Sequence, residues 1–405
     1  MAFLQDWKEQ GKELLLYALS ALLLGIAIGG MDALFGRVLL AITDFRGAHV
    51  YGLLLFLPLA GLLIVWLYRH FNETAAKGMT LVMETGQGKR ESIPLALIPL
   101  VMVSTWITHL FGGSAGREGV AVQIGATLSH AFARRFHFPD NGRILLVAGM
   151  AAGFGGLFQT PFAAVFFALE VLVCGKLAYP ALLPAMIASF TASATSHALG
   201  LEKFSVPLTQ TLELSDAKTV AFLVGLGVVF GLAGRVFAVL LQKAKAFMGQ
   251  HSKDAYRRIG LFSIPLAALL LLLWGGRYCG LGTNLIAQVF AGEEIYAFDW
   301  ICKLLFTVLT LSIGFQGGEV TPLFSIGATL GFVLGDLAGI APQLCAALGY
   351  AAVFGSATNT LFTPILIVLE VFGAQHALAA VLVCLVAFFV NGNRCIYTAQ
   401  EQSRF

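Results

Sequence analysis

Residues 111–128 read Phe-Gly-Gly-Ser-Ala-Gly-Arg-Glu-Gly-Val-Ala-Val-Gln-Ile-Gly-Ala-Thr-Leu, and residues 313–330 read Ile-Gly-Phe-Gln-Gly-Gly-Glu-Val-Thr-Pro-Leu-Phe-Ser-Ile-Gly-Ala-Thr-Leu. Each stretch passes from a glycine-rich break with an acidic residue into the same pentapeptide, Ile124–Leu128 in one and Ile326–Leu330 in the other, at an offset of 202. A second match, at an offset of 200, pairs Ala151, Ala152, Phe154, Gly155, Thr160, Phe162, Leu169, Glu170 and Val171 with Ala351, Ala352, Phe354, Gly355, Thr360, Phe362, Leu369, Glu370 and Val371. Nine identities in 21 positions indicate an internal duplication. Around it the chain divides into an interfacial segment at 1–12, a first transmembrane repeat at 13–200, a linker at 201–214, a second transmembrane repeat at 215–400 and a tail at 401–405.

Working outward, 58% of the 405 residues are hydrophobic and 12% charged, against about 25% charged in an ordinary soluble domain. That excludes a soluble enzyme and supplies material for roughly ten or more crossings at about 20 residues each. Within lipid the backbone must satisfy itself, so an all-α integral membrane protein is expected, multi-pass in the cell membrane. Hydrophobic runs broken at Gly112–Gly119, Gly153–Gly156 and Gly314–Gly318 leave pieces too short to span, which predicts broken helices. Transporters built from repeats place ion sites at such breaks, near the bilayer midplane. The hydrophilic pieces 69–91 and 249–258 are too short to fold alone. A net charge of +3, without a basic cluster interleaved with aromatics, gives no reason to expect a nucleic-acid partner. Met1–Gly11 carries Asp6, Lys8 and Glu9 and lacks the cationic start of a cleavable signal. Six cysteines stand singly, without metal-ligand spacing, and read as small core residues; no metal or cofactor is expected.

Chemistry concentrates in the two breaks. Gly116, Arg117, Glu118, Gly119 and Val120 open one helix, while Glu319, Val320 and Thr321 open its counterpart, with Pro322 in the first turn where a missing N–H costs little. Glycine leaves backbone N–H groups accessible, and a helix N-terminus carries about half a positive charge, so an anion is the natural occupant. Glu118 stands in that field. Its carboxylate can take the anion's place when ionised and leave it when protonated, which makes a proton-linked gate; capping its own helix or pairing with Arg117 are equally compatible with the residue types. Glu319 is a candidate proton carrier or a structural carboxylate held by backbone donors. Glu170 and Glu370, equivalent in the duplication, read as structural hydrogen-bonding groups, and His109 as a packing residue. Gly112-Gly113-Ser114-Ala115-Gly116 fits G-x-S-x-G, but that nucleophile elbow needs a strand that is not predicted here, so an enzyme is not expected.

With these residues in view, the chain resembles the CLC superfamily of anion channels and proton-coupled antiporters over nearly its whole membrane region. Gly116-Arg117-Glu118-Gly119 is similar to the family's G[K/R]EGP loop and Gly317-Gly318-Glu319-Val320-Thr321-Pro322 to its GGxFxP loop, in the right halves and order. Lys77-Gly78-Met79-Thr80-Leu81 falls where the family places its GSGIP loop, and Tyr397 where it places a central-site tyrosine. The resemblance implies a CLC-type fold of two inverted helical repeats with broken helices meeting at the ion site, a homodimer with one pathway per subunit, Glu118 as gating glutamate and Tyr397 at the inner end of the anion path.

Three departures look like the fluoride-exporting CLC-F branch: Met79 in place of a serine or proline, Val120 in place of the proline, and Glu319 with Thr321 in place of apolar residues. By that resemblance Glu319 and Thr321 are implicated in proton coupling and fluoride handling. Counting from the helix ending at Glu170 aligns Val171 with the intracellular proton glutamate of ordinary antiporters, so the resemblance implies an inward proton route without that acid. The function implied is a fluoride/proton antiporter exporting cytoplasmic fluoride, with fluoride lying between the helix ends at Glu118 and Val320 near Met79 and Tyr397. A chloride/proton antiporter or passive chloride channel on the same scaffold is the alternative. The resemblance, rather than chemistry, selects the ion.

Overall fold

The computed structural model describes residues 2–212 and 214–403, with side chains from residue 11 onward. Eight α-helices precede residue 201: α1 (Ala2–Leu54), α2 (Leu57–Phe71), α3 (Met79–Gly86), α4 (Leu97–Leu110), α5 (Glu118–Arg135), α6 (Arg143–Phe158), α7 (Pro161–Glu170) and α8 (Leu182–Ala198). Eight follow it: α9 (Ala217–His251), α10 (Ala255–Leu272), α11 (Thr283–Ala291), α12 (Asp299–Ile313), α13 (Val320–Ala338), α14 (Pro342–Thr358), α15 (Phe362–Val371) and α16 (Ala377–Asn391). Among the described residues, six stretches are long and apolar enough to cross a membrane. Others are half that length: α7 and α15, at 10 residues each, rise about 15 Å, half of a bilayer's hydrocarbon thickness.

Short buried helices leave unpaired backbone groups at their ends, and the two halves supply each other's missing partners. Glu170, the last residue of α7, accepts hydrogen bonds from the N–H groups of Leu361, Phe362 and Thr363 and from the Thr363 hydroxyl at the start of α15. Glu370 near the end of α15 accepts from the N–H groups of Phe162 (3.2 Å) and Ala163 (2.8 Å) at the start of α7. Carboxylates at helix N-termini are favourable, and this reciprocity sets α7 and α15 antiparallel, the mark of an inverted repeat. It also assigns both glutamates the structural role expected of them. Phe154 and Phe354, equivalent in the duplication, meet across the same interface with centroids 6.4 Å apart.

Close crossings fix the other helices. Gly125 of α5 lies against the backbone of Gly149 in α6, and Gly327 of α13 against Gly349 in α14, so the repeated Ile-Gly-Ala-Thr-Leu marks one helix crossing used twice. Leucines at 14, 15, 16, 19, 22 and 23 on α1 and Leu261, Ile264, Leu269 and Leu272 on α10 are exposed, as lipid-facing positions require.

Three stretches between and beyond the long helices carry structure of their own. The hydrophilic piece 69–91 is part of the core: it contains α3, whose Leu81, Val82 and Met83 are fully buried, a short apolar stripe masked by flanking charges. Residues 201–212 are extended and tied to the end of α15 by Val206 N–H to Val371 O and Leu208 N–H to Phe372 O, so this connection packs on the second half. Glu401–Gln402 forms a two-residue parallel ladder with Val173–Cys174, which ties down most of the expected tail; Arg404 and Phe405 lie outside the described residues. Most of the expected interfacial segment 1–12 falls where side chains are not described.

Candidate functional site

The two glycine breaks meet. Gly116 donates to Gly318 O at 2.5 Å and Gly318 donates back to Gly116 O at 2.8 Å, a single antiparallel bridge. A Cβ on Gly116 would stand 2.9 Å from Gly318 O, so this approach requires glycine. The bridge sets the N-terminus of α5 beside that of α13. Behind it, α12 anchors the first break: Ser114 N–H donates to Thr310 Oγ1 (3.1 Å), and the Ser114 and Thr307 hydroxyls bond at 2.9 Å. Lys303, fully buried, donates from Nζ to Gly280 O (2.7 Å), Ser114 Oγ (2.8 Å) and Tyr278 O (3.2 Å). Ser114 is thus sealed from solvent as a structural anchor of the break.

Glu118 is the first residue of α5, yet its side chain serves the opposite helix. Oε2 accepts from Thr321 N–H (3.1 Å), Thr321 Oγ1 (2.5 Å) and Arg117 N–H (3.3 Å). Oε1 stands 3.6 Å from Arg117 Nε and has no hydrogen-bond partner among the described residues. The group is fully buried. A carboxylate therefore fills the electropositive end of α13, the place where an anion would be favoured.

Not every expected donor is free. Val120 N–H is already given to Arg117 O (3.1 Å), because the first turn of α5 closes tightly on Arg117. Val120 and Val320 are fully buried and contribute apolar walls. Arg117 is half-buried, with Nε and Nη1 lacking hydrogen-bond partners. Gly119 adjoins the second break: a Cβ there would stand 3.6 Å from Gly318 Cα and 3.9 Å from Glu319 Oε2.

Beside the paired helix ends opens a cavity of about 610 Å³ lined by Met79, Gln123, Lys245, Glu319 and Tyr397 among others. Met79, Glu319 and Tyr397 come together here, whereas Glu118, Val120, Val320 and Thr321 are not part of its wall. A third helix N-terminus contributes, since Met79 is the first residue of α3. Glu319 Oε1 lies 3.7 Å from Lys245 Nζ. The Tyr397 hydroxyl is buried with no partner among the described residues, free to donate to an occupant.

Three residues escaped the reading of the breaks: Lys245, Gln123 and Lys303. Lys303 interrupts an otherwise apolar run, and an ionisable residue within a membrane segment is a functional flag; Lys245 sits in the polar stretch Gln242-Lys243-Ala244-Lys245 near the end of α9 and reads as part of a solvated face. Gln123 gave no such signal, being one polar residue in a helix rich in small ones.

Fold and site together define a class: a polytopic helical membrane protein whose inverted repeats bring broken-helix ends together around a buried carboxylate. The family model described as voltage gated chloride channel matches residues 60–392, and the chain belongs to that family. A chloride/fluoride channel protein of Pseudomonas syringae pv. tomato is 35% identical over 94% of this chain and 85% of its own length. The ClcB voltage-gated ClC-type chloride channel of Salmonella typhimurium is 25% identical over 81% of each. A crystal structure of a CLC-type fluoride/proton antiporter superposes with a TM-score of 0.95 at 49% identity, covering 96% of this chain and 98% of its own. A slow cyanobacterial Cl⁻/H⁺ antiporter shares the fold at 20% identity, with a TM-score of 0.82 over 94% and 96% of the two chains.

Proposed function

We propose that this protein exchanges fluoride for protons across the cell membrane, exporting cytoplasmic fluoride, with Glu118 as the proton-linked gate. The observation that carries this reading is the Glu118 carboxylate seated on Thr321 at the N-terminus of α13. A carboxylate and a halide cannot both occupy one pocket, so anion entry requires Glu118 to leave, and a neutral, protonated Glu118 holds the pocket less strongly than its anion. Backbone and hydroxyl donors replace hydration without a fixed countercharge that would trap the ion.

Fluoride is small and strongly hydrated, so its path needs directed donors. Thr321 supplies one at the gate and Tyr397 one below it. The likeness to a fluoride/proton antiporter at 49% identity favours fluoride over chloride. Arg69, paired with Asp254, and Lys89, paired with Glu401, flank the cavity side, joined by Lys77 and Arg258 in the cavity wall. By the positive-inside rule this face is cytoplasmic, so the Glu118 gate stands between the cavity and the outside. Met79, Gly116, Arg117, Gly119, Glu319, Val320 and Tyr397 line or shape the anion path, and Glu319 carries protons on its cytoplasmic side. The working unit is a homodimer in the lipid bilayer with one path per subunit, which cross-linking in membranes tests.

Purified protein in lipid vesicles, with fluoride, chloride and proton movements recorded together, tests the function. Fluoride efflux accompanied by proton uptake is expected; chloride efflux exceeding that of fluoride would select the chloride reading suggested by the ClcB relatives. Glu118→Gln is expected to abolish proton movement coupled to fluoride, and a variant retaining the native proton-to-fluoride ratio would defeat the gate assignment.

A further inference from the structure

Gln123 is 6% exposed, sits on α5 little more than one turn beyond Glu118, and has an amide whose orientation chemistry decides. Its Nε2 donates to Gly119 O at 3.1 Å; a carbonyl oxygen can only accept, so Oε1 is the free end. That oxygen is buried with no hydrogen-bond partner among the described residues, in a side chain that forms part of the cavity wall beside Met79, Glu319 and Tyr397. Gly78, in the left-handed region at φ +51°, makes room for it: a Cβ there would lie 3.0 Å from Gln123 Oε1. Buried polar atoms in membranes are paired, and an orphaned acceptor at the wall of a transport cavity awaits a donor.

The neighbours narrow what that donor is. Side chains on a helix lean toward its N-terminus, and the Gln123 amide lies against Gly119, the residue after Glu118. The same Gly119 faces Glu319 Oε2. The amide therefore lies against the backbone just after the gate residue, at a glycine that itself adjoins the acidic residue of the second break. An ionised Glu118 has no use for an acceptor; a protonated one has an O–H to donate.

We propose that Gln123 is a positioning residue for the proton: on turning inward, protonated Glu118 donates its O–H to Gln123 Oε1, which holds the acid in the cavity beside Glu319. From there the proton passes to the Glu319 carboxylate, directly or through one cavity water. The O–H bond on Glu118 breaks, an O–H bond on Glu319 forms, and Glu118 returns as a carboxylate to Thr321. This rests on the antiporter reading and supplies an inward route that needs no acid at Val171.

The test is the proton-to-fluoride ratio in vesicles for Gln123→Met, which keeps the chain length and lacks the acceptor, and for Gln123→Glu, which restores one. The ratio is expected to fall about two- to tenfold in Gln123→Met, the range one neutral hydrogen bond commands, and to recover in Gln123→Glu. Should the methionine variant fail to fold, Gln123→Ala reads the same ratio. A folded, transporting Met or Ala variant with the wild-type ratio overturns the proposal, because a merely structural amide would alter stability or rate and leave the ratio intact. Wild-type protein moving fluoride without protons would instead overturn the antiporter reading itself.

Discussion

Gly125→Ala tests whether the helix crossing beneath the site holds the gate in place. An added Cβ would stand 2.0 Å from Gly149 O and 3.1 Å from Gly153 N, where ordinary contact begins at 3.4 Å. The obstacle is backbone, which cannot swing aside, so α5 and α6 must part by about 1.4 Å to restore that contact distance. Overpacking of this kind costs about 1–3 kcal/mol. The larger effect is functional, because α5 carries Glu118 at its first residue. A displacement of that size would stretch the 3.1 Å bond from Thr321 N–H beyond hydrogen-bonding range. Each charge-assisted bond of this type contributes about 1.5–3 kcal/mol, so losing one loosens the seated carboxylate by roughly tenfold or more. Gly225→Ala in α9 is the control: nothing lies within 4 Å of its new methyl group, and helix propensity favours alanine by about 1 kcal/mol. Thermal unfolding in detergent, with fluoride and proton flux in vesicles, should show Gly125→Ala melting earlier with exchange impaired, and Gly225→Ala melting unchanged or later with exchange intact. A Gly125→Ala protein that melts and exchanges as wild type would refute both the crossing and its hold on the gate.

Two further substitutions separate structural from transport roles. Glu170→Ala strips three backbone N–H groups of α15 of their acceptor in a buried setting, at about 1–3 kcal/mol per orphaned donor. Glu370→Ala frees only two at a half-buried site where water can substitute, so Glu170→Ala should melt distinctly earlier; the reverse order would contradict the capping account. Lys303→Met keeps side-chain length but withdraws the donor shared by Ser114 Oγ, Gly280 O and Tyr278 O. Relief of ammonium desolvation offsets part of the loss, leaving an expected destabilisation of about 1–3 kcal/mol and a slower exchange as the first break loosens; unchanged melting and flux would show that Lys303 does not anchor the Gly112–Gly116 loop.

Much of the architecture is legible in the chain because its signals are local. Hydrophobic runs of spanning length, glycine-rich interruptions and two copies of Ile-Gly-Ala-Thr-Leu require no knowledge of contacts. The residues of the site were less evenly visible. Glu118 and Glu319 announced themselves as lone acids at breaks, whereas α3 hid between charged flanks and Gln123 resembled any polar helix residue. That Val120 N–H is taken up by Arg117 O was not visible either, since whether the first turn closes there is a matter of backbone angles that residue types leave open.

The sequence by itself determined the solvent this protein lives in, the duplication, and which two breaks carry acids, since composition and repetition are properties of the chain alone. Only the tertiary structure decided which helix each acid serves. Glu118 could cap α5 or reach elsewhere with equal ease by residue type; the Gly116–Gly318 bridge brings Thr321 within 2.5 Å of it across 203 residues, and a hydrogen bond forms wherever a donor is within reach. Glu319 is held apart from that pocket for the same reason, because the break turns it toward Lys245 and the open cavity.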